Sequence, residues 1–104
     1  MIKNCTQHNV DIVVDDTTIT IPPCGIVPRC SQIEKAVGQI EGIPVTVQVF
    51  GDVIDLPEQE ADVFLIVSRL VASACPARED LLIPGPLLRD EAGKVVGCKG
   101  LSKL

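Results

Sequence analysis

Three arginines in the last third of the chain, Arg69, Arg78 and Arg89, are the residues whose type best suits chemistry. A guanidinium is a planar fork that grips phosphate or carboxylate with two parallel hydrogen bonds. Ser68 stands directly before Arg69, where a helix of about two turns is expected to begin, and its hydroxyl would cap that helix. Backbone N–H groups in a first helical turn also favour an anion. Gly85 in "LLIPGPLL" and Gly97 in "GCKGL" have no side chain and so let a ligand approach the backbone. Ser68, Arg69, Arg78, Gly85, Arg89 and Gly97 are therefore the candidate binding residues for one small anion, and none is expected to be catalytic. The competing expectation is that Arg69 and Arg78 pair with Glu79, Asp80 or Asp90 on a solvated surface, and that "LLIPGPLL" is a stiff edge connection.

The distribution of charge favours the same region. The 104 residues carry a net charge of -5, yet residues 67–104 hold six lysines and arginines against four carboxylates. Residues 1–66 hold only Lys3, Arg29 and Lys35 against ten carboxylates. Polymeric nucleic acid is excluded as an expected partner, because a phosphate backbone is held by a basic surface. The two phenylalanines, Phe50 and Phe64, with no Trp or Tyr, also leave few platforms on which bases could stack.

Other chemistries find less support. Cys5, Cys24, Cys30, Cys75 and Cys98 are odd in number and contain no Cys-x-x-Cys, so neither a zinc site nor a redox motif is expected. They read as free thiols in a reducing cytoplasm. His8 is the only histidine, and nothing in its spacing selects a nucleophile for it to activate. No cofactor and no metal is expected. The longest wholly aliphatic or aromatic run, Val63 to Val67, is far shorter than the roughly 20 residues of a membrane span, so no membrane is expected either.

The elements that must position these residues are mostly strands. Val10, Ile12 and Val14 alternate before Asp15-Asp16, and Thr17, Ile19 and Ile21 alternate after it, which predicts a hairpin ended by Pro22-Pro23. Ile43, Val45, Val47 and Val49 fall on one face of a second strand, with Pro44, Thr46, Gln48 and Phe50 on the other. Glu41-Gly42 is the turn linking that strand back to Val37–Ile40. "DLPEQEAD" is a polar loop. Val63 to Val67 predicts a short buried strand, followed by a helix that starts at Ser68, carries Leu70, Val71 and Ala74 as its apolar stripe and closes at Pro76. Leu87–Arg89 and Lys94–Cys98 flank "DEAG" as a further hairpin. The expected fold class is α+β: a small β-rich single domain, residues 1–104, built from hairpins with one short helix.

Four stretches, "NCTQHNVDIVV", "IPPCGIVPR", "IPVTVQVFGDVIDLPE" and "FLIVSRLVASACPAREDLLIPGPLLRDEAGKVVGC", resemble a family of small phage- and prophage-encoded proteins of unassigned function. The resemblance covers most of the chain and implies an accessory protein acting in the cytoplasm of a bacterial host, of the kind that counters host defence. Combined with the arginines, it leads to the expectation of a non-catalytic homo-oligomer that sequesters a small anionic, nucleotide-derived signalling molecule. One alternative is a protein-binding inhibitor or virion accessory that uses an exposed strand edge or the acidic surface. Another is a small hydrolase or transferase acting on the same ligand class.

Overall fold

Asp15 and Asp16 both take left-handed backbone conformations, with φ of 47° and 63°, the geometry of a two-residue turn whose twist matches its flanking strands. In the computed structural model, which describes residues 1–104, they join β2 (Val10–Val14) to β3 (Thr17–Ile21), with Val14 opposite Thr17. Glu41 and Gly42, at φ of 51° and 77°, likewise join β4 (Arg29–Ile40) to β5 (Ile43–Ile54). The remaining elements are β1 (Ile2–Asn4), β6 (Phe64–Ile66), α1 (Arg69–Ala74), β7 (Leu81–Pro84), β8 (Leu87–Arg89), β9 (Val95–Cys98) and β10 (Leu101–Ser102). The protein is thus mostly strand with one short helix, arranged in several small sheets.

Two four-stranded sheets, in the orders β1-β6-β7-β10 and β3-β2-β9-β8, make the body. At its centre lies β6, parallel to both β1 and β7, and α1 is the crossover between β6 and β7. The parallel pairing explains the uninterrupted apolar run in the sequence, since a strand covered on both sides has no polar face. Leu65 joins one cluster, with Cys5, Val67, Val71, Leu81 and Ile83. Ile66 joins the other, with Val10, Ile12 and Cys98. Hairpins dominate as the sequence suggests, whereas the parallel pairs between distant segments are a feature that hairpin signals do not reveal.

Asn4, fully buried, ties these parts together. Its amide nitrogen donates to the carbonyls of His8 and Ile21, both at 2.8 Å. Its side-chain oxygen accepts from the Thr6 N–H at 3.0 Å, and its backbone carbonyl accepts from the Cys24 N–H at 2.8 Å. The side chain of this one residue therefore fixes the turn after β1 and the end of β3, and its backbone fixes the chain leaving β3.

The third sheet, β4-β5, behaves differently from the other two. It is a two-stranded ribbon of twelve residues per strand. Every residue of β4 except Cys30 is exposed, and in β5 only Val45 and Val53 are half-buried. Its root lies against α1, and Val53 and the following Leu56 pack on the Cys5 cluster. Beyond that root the ribbon stands away from the body as an arm. The radius of gyration, 16.9 Å, records this, since a compact chain of this length has about 13 Å. The sequence pattern marks only Val37–Ile40 as the first strand, but β4 runs back to Arg29.

Asn4→Ala is expected to lower stability by about 2–4 kcal/mol, because two partly buried carbonyls lose their donor and a buried side chain is removed. Urea unfolding of the two proteins checks this, and an unchanged midpoint would show that the Asn4 bonds do not hold the body.

Candidate functional site

The structure distributes the six sequence-derived site residues over separate places. Ser68 caps α1 as expected, its Oγ accepting from the Val71 N–H at 3.2 Å. Arg69 is exposed and makes no ion pair or side-chain hydrogen bond. It borders an open depression of about 670 Å³ together with Gly85, Pro86, Ser102 and Lys103. Arg78 is engaged elsewhere: Nε and Nη2 grip the two oxygens of Asp80 at 2.8 and 2.7 Å, and Nη2 also donates to the Pro57 carbonyl at 2.9 Å. Arg89 donates to the Gly93 carbonyl at 2.9 Å, across the turn of its own hairpin. Gly97 lines a different depression, of about 460 Å³, with Val10, Leu87 and Lys94. Arg69 and Gly85 are therefore brought together, and Arg78, Arg89 and Gly97 are not with them.

Both glycines have a packing role in these places. The Gly85 N–H donates to the Gly100 carbonyl at 2.7 Å, and a Cβ on Gly85 would lie 2.7 Å from that same oxygen. A Cβ on Gly97 would lie 3.0 Å from the Asp11 carbonyl of β2. Each glycine lets two stretches of backbone meet more closely than a side chain allows. Asp80 is buried, and the Arg78 guanidinium, mainly through its hydrogen bonds, holds the carboxyl below the usual carboxylate range. The same pairing pushes the Arg78 guanidinium up. This ion pair fastens the loop after α1 to Pro57, the residue next to Leu56 below the arm.

The thiols form no motif for catalysis. Cys5 Sγ lies 3.6 Å from Cys24 Sγ. Burial first, and the hydrogen bond to Cys24 second, push the Cys5 thiol up to about 12, so at neutral pH it is protonated and a poor nucleophile. All five cysteines are free. His8 is exposed, and its carbonyl rather than its ring receives the Asn4 and Thr6 hydrogen bonds. No three His, Cys, Asp or Glu side chains are grouped to hold a metal ion. No helix is long and apolar enough to cross a membrane.

A chemically uniform surface lies on the arm. The β4-β5 register places Ile33 opposite Val49, Lys35 opposite Val47, Gly38 opposite Val45 and Ile40 opposite Ile43. Directly opposed residues share a face, so one face of the ribbon is aliphatic apart from Lys35 and Gly38. Ile33, Ile40, Ile43, Val47 and Val49 on it are 44–65% exposed. The other face carries Gln32, Glu34, Thr46 and Gln48, together with Phe50. The alternation of residues 43–50 is as the sequence indicates. Its usual meaning, a strand with one face on the core, fails here because no element of the body covers the apolar side. The signal for β4 was weaker, since Glu34 and Lys35 interrupt its aliphatics and Val37 falls where the register shifts.

The depressed Asp80 has a consequence in acid. A lowered folded-state value stabilises the fold above the unfolded carboxyl range, near 4, and that stabilisation is lost as pH falls through the folded value. Asp80→Asn is therefore expected to reduce stability by roughly 2 kcal/mol at pH 7, and the gap to the parent protein should close as pH falls below about 4. Thermal melts at pH 7, 5 and 3 check this; a gap independent of pH would show that the ion pair contributes nothing.

Comparison with known proteins finds no family model that matches, no similar curated protein and no similar solved structure.

Proposed function

We propose that this chain is a non-catalytic accessory protein of the small phage-encoded kind its sequence resembles, a β-rich α+β unit that acts by binding another polypeptide through the apolar face of the β4-β5 arm. The observation that carries this reading is the exposure of that face along a ribbon of twelve residues per strand. Monomeric soluble proteins seldom present a contiguous apolar patch beyond a few hundred Å², and larger ones mark interaction surfaces. A two-stranded hairpin is also marginal in water by itself and gains stability once its apolar face is covered. The acidic body complements such an arm by disfavouring attachment to nucleic acid.

Arg69 supports a second reading, in which the depression it shares with Gly85, Ser102 and Lys103 receives a small anion such as a nucleotide phosphate. Arg69 has no carboxylate partner, but Lys103 extends over the Phe64 ring, with Nζ 5.8 Å from the ring centre. One free arginine in an open depression is a weaker basis than a whole apolar ribbon. On this reading, titration with adenosine diphosphate should give saturable heat that Arg69→Ala weakens by about tenfold or more. No heat at millimolar nucleotide would remove it.

The arm reading is checked by placing the photo-cross-linker benzoylphenylalanine at Val47, on the apolar face, or at Gln48, on the polar face. Irradiation, of the purified protein and of the protein in bacterial extract, should give polypeptide adducts from position 47 and few from position 48. Equal adducts from both positions, or none from 47 in either setting, would overturn it.

A further inference from the structure

We infer that the occupant of the arm's apolar face is a second copy of this chain, the two ribbons packing face to face and antiparallel about a two-fold axis. This rests on the arm being an interaction surface and goes on to name the partner.

Three features of the arm point to its own copy. The first is area. A twelve-residue strand is about 40 Å long and a two-stranded ribbon about 10 Å wide. Side chains exposed by half or more over that face present on the order of several hundred Å² of apolar surface. A specific interface needs about 800 Å² from each partner, which the face, its flanks and the exposed Ile54 and Ile26 at the arm's root together approach.

The second feature is charge. The arm carries Arg29 and Lys35 against Glu34, Glu41 and Asp52, so its charges nearly cancel, and Lys35 is the one charge among the face's central aliphatics. A different partner is commonly selected by complementary charge, and this face offers almost none. A two-fold interface needs only a surface that complements itself, which a strip of Ile and Val of similar size provides. Outside the arm, seven lysines and arginines face eleven carboxylates. Antiparallel arms place these like-charged bodies at opposite ends of the ribbon pair, several screening lengths apart in physiological salt.

The third feature is the edge. Pairing by strand addition would need regular free N–H and C=O groups along β4 or β5. Register shifts at Cys30/Gln32 and Ala36/Gly38 interrupt the ladder, and Pro44 in β5 has no N–H to donate. Such irregularities discourage edge pairing, which leaves the continuous aliphatic face as the surface to be covered. Faces packed in this way lie about 10 Å apart, with their side chains interleaved.

Sedimentation velocity and light scattering over a wide concentration range test the inference. The parent protein should show twice the 11.1 kDa chain mass. Val49→Gln sets an amide opposite Ile33 on the apolar face and buries it without a partner between the two faces; the dimer dissociation constant should rise at least about tenfold. Gln48→Lys, on the polar face and opposite Glu34, should leave it unchanged. If circular dichroism shows that Val49→Gln fails to fold, Ile33→Thr, polar and strand-compatible, takes its place. A dimer that resists the apolar-face change, or that is weakened equally by Gln48→Lys, overturns the inference. A monomer at all concentrations also overturns it, and the cross-linker at position 47 then separates two cases. An adduct with a different polypeptide leaves the arm as an interaction surface, and no adduct removes both.

Discussion

The body of this protein depends on one buried polar residue. Asn4 uses both amide hydrogens, its side-chain oxygen and its backbone carbonyl on groups from three stretches of chain, and none of its side-chain polar atoms is left without a partner. Its neighbour Cys5 donates its N–H to the Ile66 carbonyl at 2.8 Å, extending the contact of β1 with β6 beyond the strand itself. A buried amide is tolerated only when satisfied, and when satisfied it permits one arrangement of its neighbours. Through this residue the β2-β3 hairpin is locked to the central sheet. The chain leaving β3 for the arm is fixed at the same point.

The sorting of residues between body and arm follows from hydrophobic content. Only 15 of the 104 residues are buried, so the body relies on a small set of aliphatics around β6. Those of β4 and β5 lie on a separate ribbon whose root alone touches that set, through Val53. Arg78, Asp80 and Pro57 brace the junction from below with an ion pair and a backbone hydrogen bond. Of the three arginines, Arg78 is held by Asp80 and Arg89 by the Gly93 carbonyl, whereas Arg69 has no side-chain hydrogen bond; the aliphatic face of the arm is exposed along its length.

Much of the local structure was legible in the sequence. The Asp15-Asp16 and Glu41-Gly42 turns, the hairpin around "DEAG", the Ser68 cap and the strand before it all follow from short-range chemistry, and the structure has each of them. What short-range patterns do not carry is which strands meet. Ile2 lies beside Phe64, and Ile12 beside Cys98, across separations that no turn signal encodes. The candidate site divides between the two expectations: for Arg78 the structure has the competing one, since Asp80, two residues on, claims its guanidinium, whereas Arg69 has no such partner. Alternation in residues 43–50 identified a strand with an apolar side, and only the assembled fold reveals that this side has nothing of its own chain upon it.

The spread of contacts along the chain also orders the events of folding. Every rung of the β4-β5 ladder joins residues between Arg29 and Ile54, closed by a two-residue turn, and such local pairing zips in microseconds. The body must wait for distant strands, because β2 pairs with β9 through Ile12 and Cys98, and β7 with β10 through Ile83 and Ser102. On a ribosome adding roughly 5–20 residues per second, the arm's two strands are complete while about half of the chain is still to be made. The residues of the aliphatic strip are thus joined in sequence well before the strands that close the two sheets of the body, so the arm is the most local part of the fold and the body the most delayed.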